Sequence, residues 1–287
     1  MGTNAPGASI TLKDGRRLGY DQHGDLGGRP VFLFHGAPGS RVMRHPDASI
    51  AMRRGLRIIT VDRPGMGLSD FQPGRTLLDW PDDVAQLADV LGIQQFAVIG
   101  LSGGGPHAAA CAYKLPHRVT SAVLASCPVP ADVPGVREAL DKEHRIYLSL
   151  AKRPWLLRLA LWWSVRSAPK DPAKALEQAL AHEPPHDGAV LKSPGFFEVF
   201  WADTQACFAQ GAKGCAHDMV LSMGPWGFPP EEITVPVFVW QGELDQGVPR
   251  AAGEYLARTI PACRAAFAPG EGHLGPFRHW EEILAAV

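Results

Sequence analysis

Residues 98–109, VIGLSGGGPHAA, hold one hydroxyl, Ser102, inside a run of small residues that follows the apolar stretch QFAVIG. Gly100 and Gly104 flank Ser102 as the pattern G-x-S-x-G requires, leaving room for a sharp strand-to-helix turn on which a nucleophile is exposed. PHAAACAYKL supplies the helix, with Pro106 in its first turn. The N-terminus of that helix aims free N–H groups, that of Gly103 among them, at an oxyanion formed on a substrate held by Ser102. Two readings compete: a plain glycine turn, and a phosphate-binding loop. The second lacks its lysine, because neither GxxxxGK[ST] nor a GxGxxG after the first strand is present.

A serine hydroxyl alone is a poor nucleophile, so acyl transfer at Ser102 calls for a base, an acid and a second oxyanion donor on other loops. HGAPGS (35–40) offers the Ala37 N–H, with Gly36 permitting the bend. VPVFVWQGELD ends in Asp245, and His273 sits in the glycine-rich loop APGEGHLGP. The order is Ser, Asp, His. His35 is expected to support the oxyanion loop through backbone hydrogen bonds, and His107 to pack or line the pocket. Asp62 also ends a strand and rivals Asp245 for the acid, with Glu243 a lesser rival; beyond the strand that follows the elbow, Ser126 and Cys127 offer no carboxylate. HEPPH (182–186) matches the zinc-protease pattern HExxH, but Pro184 and Pro185 remove the helix on which both histidines would share a face.

These residues need a frame, and apolar runs of strand length provide one. SITL and RRLGYDQHG around KDG read as an antiparallel hairpin. PVFLFHG, LRIITVD, FAVIG, TSAVLAS and VPVFVWQG read as strands buried on both faces. DWPDDVAQLADVLG reads as a helix, with Val84, Leu87, Ala88 and Leu91 on one stripe and Gly92 as its stop. Strands alternating with helices imply an α/β fold with a doubly wound, mostly parallel sheet, in which ligands bind beyond the strands' carboxyl ends. The alternation fails over 128–230, where Pro- and Trp-rich helical pieces are too long for a loop. The expected organisation is a core of 1–127 and 231–287 with a helical cap (lid) at 128–230. Its aromatics (Trp155, Trp162, Trp163, Phe196, Phe197, Phe200, Trp201, Trp226, Phe228) fit a membrane-surface helix, a substrate lid or a small core, most being expected in core and a minority in the pocket.

The chain has 287 residues, 28 basic and 29 acidic side chains and no long like-charge run, so nothing in the overall field favours nucleic acid or an anionic membrane. Five cysteines without a CxxC pair suggest reduced, buried thiols. MGTNAPGASI lacks the basic and apolar regions of a signal peptide, and Pro6 stands where a myristoylation signal needs Ser or Thr, which leads to a cytoplasmic expectation. WLLRLALWWSV (155–165) is about half of the roughly 20 residues that span a bilayer, and Arg158 interrupts it, so no membrane span is expected.

FLFHGAPGS, TVDRPGMGLSD, VIGLSGGGPHA, VPVFVWQGELDQGVP and PGEGHLGP together resemble the α/β-hydrolase superfamily over nearly the whole chain. The resemblance implies Ser102 as nucleophile, His273 as general base and then acid, Asp245 as orienting acid, and the N–H groups of Ala37 and Gly103 as the oxyanion hole. It also implies that Asp62 and Arg63 fix a structural turn. Serine rather than aspartate at the elbow departs from the epoxide hydrolases and haloalkane dehalogenases and favours acyl transfer. Gly103 departs from the tryptophan that tends to follow the nucleophile in proline iminopeptidases. The expectation is a capped, esterase-like serine hydrolase acting on a small apolar ester, thioester or lactone, amides ranking below these, with no cofactor and no metal. Perhydrolysis, carbon–carbon cleavage or a lyase step on the same triad, and a non-enzymatic receptor on this fold, are the alternatives.

Overall fold

The computed structural model describes residues 7–287; the leader and lipidation reading of Met1–Pro6 lies outside the described residues. Eight strands form one sheet: β1 (Ala8–Thr11), β2 (Arg17–Gly24), β3 (Arg29–Phe34), β4 (Leu56–Val61), β5 (Phe96–Leu101), β6 (Val119–Ala125), β7 (Val237–Gly242) and β8 (Cys263–Ala268). Their spatial order is β1-β2-β4-β3-β5-β6-β7-β8. β1 pairs antiparallel with β2 and β2 with β4, while β3 through β8 are parallel. This is the expected hairpin joined to a doubly wound sheet. Every residue of β5 is buried, which explains why it reads as an unbroken apolar run.

Helices α1 (Ser49–Arg53), α2 (Trp80–Val90), α3 (Gly105–Lys114), α4 (Val136–Ala139), α5 (Lys142–Ala151), α6 (Pro154–Ser167), α7 (Pro172–His182), α8 (Pro185–Leu191), α9 (Phe196–Cys207), α10 (Lys213–Met223), α11 (Arg250–Thr259), α12 (Gly275–Arg278) and α13 (Trp280–Ala285) complete the chain. One sheet face packs on α2, α3 and α11 through Trp80, Leu87, Ala109 and Leu256; the other packs on α1 and α13 through Ile50, Trp280 and Ile283. In α2 the buried stripe is Val84, Leu87 and Ala88, and Gly92 ends it at φ 70°. Because β3 through β8 pair in parallel, all six of these strands end along one edge of the sheet.

The segment between β6 and β7 holds α4–α10. It has a small core of its own, in which Leu157, Leu161, Cys207 and Cys215 pack with Met66 of the loop after β4. Phe196, Phe197, Trp226 and Phe228 are buried, as expected of most aromatics there. Trp155, Trp162 and Trp163 are instead exposed, because the inward face of α6 is made by Leu157 and Leu161.

Candidate active site

The turn after β5 places Ser102 at φ 48°, a left-handed conformation that few non-glycine residues adopt. The glycines around it are sterically required. A Cβ on Gly100 would lie 2.4 Å from the Gly104 carbonyl oxygen, and one on Gly104 would lie 2.2 Å from the Phe34 carbonyl oxygen. Strand β3 and helix α3 can approach only with hydrogen at these positions.

Ser102 Oγ lies 3.0 Å from His273 Nε2, and His273 Nδ1 lies 2.9 Å from Asp245 Oδ2. The three residues come from the ends of β5, β7 and β8, which the parallel sheet brings to one edge. Asp245 is fixed in turn: its Oδ1 accepts from the N–H groups of Gly247 (3.0 Å) and Val248 (2.8 Å), and its Oδ2 accepts from Gln241 Nε2 at 3.3 Å. Burial alone would lower the His273 pKa; the charge and hydrogen bond of Asp245, with Asp187 and Glu183 farther off, outweigh it and push it up to about 9. The imidazolium is therefore well stabilised at this position.

Ala37 reaches the same place from the end of β3. Its nitrogen lies 3.4 Å from where a Cβ on Gly103 would stand, so the two residues are neighbours beside Ser102. The Ala37 N–H has no backbone acceptor among the described residues. His35 lies at the start of this loop: its Nδ1–H donates to the Gly36 carbonyl at 2.7 Å, and burial keeps the ring neutral by lowering its pKa well below the ordinary value.

Arg63, anticipated only as a turn residue, spans the loop's carbonyls, donating to His35 O (2.5 Å) and Gly36 O (2.9 Å). Its remaining face binds Asp218 of α10, which also accepts from Arg75 at 2.6 Å. Burial would raise the Asp218 pKa, but the two arginines hold it well below the carboxylate range. His107 is fully buried beside them instead of lining the pocket; its Nδ1–H donates to Gly103 O at 3.0 Å. On the loop's other side Asp203 of α9 accepts from Ser40 N (2.8 Å) and Ser40 Oγ (2.7 Å), and burial pushes its pKa up to about 7.

Asp187 of α8 is a further residue that the sequence reading missed. It accepts from the His273 N–H at 3.1 Å and the Leu274 N–H at 2.7 Å, clamping the loop that carries the imidazole. Ser126, itself at φ 47°, donates to the His273 carbonyl at 3.3 Å. Acidic residues inside otherwise apolar helical stretches, such as FWADTQACF and AHDMVLSM, are a signal that partners must exist. Asp187, beside His186 and two prolines, carries no such signal.

The other candidates fall elsewhere. Asp62 is held by Arg41 N, Arg41 Nη1 and Leu68 N, fixing the turn after β4. Glu243 pairs with Arg250. His182 ends α7 and His186 lies in α8, so HEPPH spans a helix break; no group of three or more His, Cys, Asp or Glu side chains among the described residues is placed to hold a metal ion.

A cavity of about 420 Å³ opens beside Ser102. Its wall is mainly aliphatic, with Met43, Val136, Leu161, Met219 and Val248, and of the aromatics singled out from sequence only Phe200 reaches it. Asp141, Glu143, Glu183 and Asp187 face it, and among the described residues no lysine or arginine does.

A serine–imidazole–carboxylate chain at the carboxyl edge of a doubly wound sheet defines a hydrolase-type scaffold. The chain belongs to the α/β-hydrolase family: the pattern described as alpha/beta hydrolase fold matches residues 29–279. A non-heme chloroperoxidase of Streptomyces lividans is 28% identical over 85% of this chain and 84% of its own. A bifunctional esterase/perhydrolase of Acinetobacter calcoaceticus is 24% identical over 96% of this chain and 95% of its own. The crystal structure of a hydrolase from Pseudomonas aeruginosa superposes with a TM-score of 0.71 at 20% identity, covering 98% of both chains.

Proposed function

We propose that the chain is a serine hydrolase of carboxylic esters, thioesters or lactones that works through an acyl-enzyme, with α4–α10 as a cap over the site. The observation that carries this reading is the unbroken hydrogen-bond chain from Ser102 through His273 to Asp245. Ser102 Oγ attacks the substrate carbonyl carbon as its proton passes to His273 Nε2, and Asp245 holds the resulting imidazolium through Nδ1–H. The N–H groups of Ala37 and Gly103 receive the oxyanion. His273 then protonates the departing alkoxide, takes a proton from water, and water cleaves the acyl-enzyme. The aliphatic wall suits an apolar acyl group. The carboxylates around it disfavour an anionic substrate and help expel the carboxylate product.

Replacing Ser102 by Ala is expected to lower kcat on a short p-nitrophenyl ester by a factor on the order of 10⁶ while far-UV circular dichroism stays unchanged. Retained turnover would overturn the reading. Labelling of Ser102 by a fluorophosphonate without turnover on any acyl substrate would instead favour a receptor.

The Acinetobacter relative, named an esterase/perhydrolase and matched over nearly all of this chain, supports a second reading. Hydrogen peroxide would replace water as the nucleophile on the acyl-enzyme, giving a peracid and regenerating Ser102. Product analysis in peroxide separates the two readings, since only the second yields peracid.

A further inference from the structure

The α5–α6 hairpin carries a surface that ester chemistry at Ser102 does not use. On α6, Trp155, Leu159, Trp162 and Trp163 recur at i, i+4, i+7 and i+8 and so share one stripe. They are 66%, 53%, 45% and 66% exposed, and Ile146 of α5 is 50% exposed. The opposite stripe of α6, Leu157 and Leu161, is buried. Leu161 also lines the cavity beside Ser102. The helix thus has a second apolar face that is left largely exposed among the described residues.

The charge around that face is one-sided. Residues 141–171 contain seven cations, Lys142, Arg145, Lys152, Arg153, Arg158, Arg166 and Lys170, against three carboxylates, Asp141, Glu143 and Asp171, and α6 itself carries Arg158 and Arg166 and no carboxylate. Glu143 faces the cavity and accepts from the Tyr147 hydroxyl at 3.0 Å. The Arg166 guanidinium stands 5.5 Å from the Trp162 ring centroid, so cation and indole occupy one surface. The near-balance of the whole chain hides this segregation.

We propose that α6 lies flat on an anionic lipid surface, its tryptophans at headgroup level and the surrounding cations paired with lipid phosphates and carboxylates. Indole rings suit the membrane interface because one edge is polar and the body apolar. Lysine and arginine beside them supply the attraction to anionic headgroups that an interfacial helix needs. At 14 residues, about 21 Å, α6 is too short to cross a bilayer. A second copy of the chain fits the charges poorly, because a two-fold contact would press the same cations against one another. Docked this way, the inner face of α6 remains the cavity wall, and that wall rests against the lipid. The proposal is independent of the chemistry at Ser102.

The full chain is sedimented with vesicles of phosphatidylcholine alone and with vesicles containing about 30% phosphatidylserine, in dilute buffer and in about 1 M salt. The expected result is at least ~10-fold more protein in the anionic pellet than in the neutral one, most of it released by salt. The triple change Trp155→Ser, Trp162→Ser, Trp163→Ser and the double change Arg158→Glu, Arg166→Glu are each expected to abolish pelleting. Both should leave turnover of a soluble short ester unchanged, since these side chains are exposed and away from Ser102. Equal pelleting with both vesicle types, or pelleting that survives both sets of changes, overturns the proposal. So does a dimer in sedimentation equilibrium that the triple change dissociates.

Discussion

At the residue scale the chemistry turns on where one proton sits. The Asp245 carboxylate, 2.9 Å from Nδ1, is the main group that raises the His273 pKa, to about 9. In the proposed mechanism His273 is the general base, which must be neutral to accept the Ser102 proton, and a raised pKa keeps the ring charged until the pH approaches it. Activity is therefore expected to climb with pH. The acidic limb of kcat/KM on a neutral ester should have its midpoint far above the ~6.5 of free imidazole. Changing Asp245 to Asn removes the charge that raises the pKa, so the midpoint should fall as kcat drops by about 10⁴ through loss of the correct tautomer. A pH–rate profile of both proteins checks this; identical midpoints would show that Asp245 does not govern the titration.

At the scale of elements, legibility followed burial pattern. Parallel strands covered on both faces show as unbroken apolar runs, and the tight turn at Ser102 shows in its glycines, so five strand ends and the candidate positions Ser102, Asp245 and His273 could be read directly, whereas the edge strand β8, only partly buried, shows no such run. What could not be read is contact between elements distant in sequence. Asp187 illustrates this: its partners are two N–H groups of the loop between β8 and α12, and a carboxylate–backbone bond leaves no trace in spacing or hydrophobicity. Asp187→Ala would leave both donors without an acceptor, costing about 2 kcal/mol of stability. The larger consequence is for His273, whose ring position depends on that backbone. A displacement near 1 Å costs roughly 10²-fold in rate, so kcat should fall much more than KM rises. Because Asp187 also contributes to the raised pKa, the acidic limb should move to lower pH, a shift that loss of packing alone would not produce.

At the scale of the whole molecule, the inserted helices and the sheet are joined by a buried ion cluster. Asp218 of α10 meets Arg63 and Arg75, and all three side chains are 0% or 1% exposed. Such a cluster is weak evidence for net stability, but removing one member leaves the others uncompensated. Asp218→Ala strands two buried guanidinium groups, which predicts a loss of about 3–5 kcal/mol, seen as a lower Tm in thermal unfolding. The pH dependence has a definite sign. The folded-state pKa of Asp218 is depressed, so its stabilising contribution is complete above the unfolded carboxylate pKa near ~3.9 and is lost as pH falls below it. The Tm difference between the native chain and Asp218→Ala should therefore narrow in acid. Arg63 also links this cluster to the site, since the same guanidinium grips the His35 and Gly36 carbonyls next to Ala37. Freed from Asp218, Arg63 holds that loop less firmly. Loss of one aligned oxyanion donor costs roughly 10²–10³ in kcat. Asp218→Ala should thus lose turnover at temperatures where it remains folded, and an unchanged kcat at such a temperature would confine the cluster to stability alone.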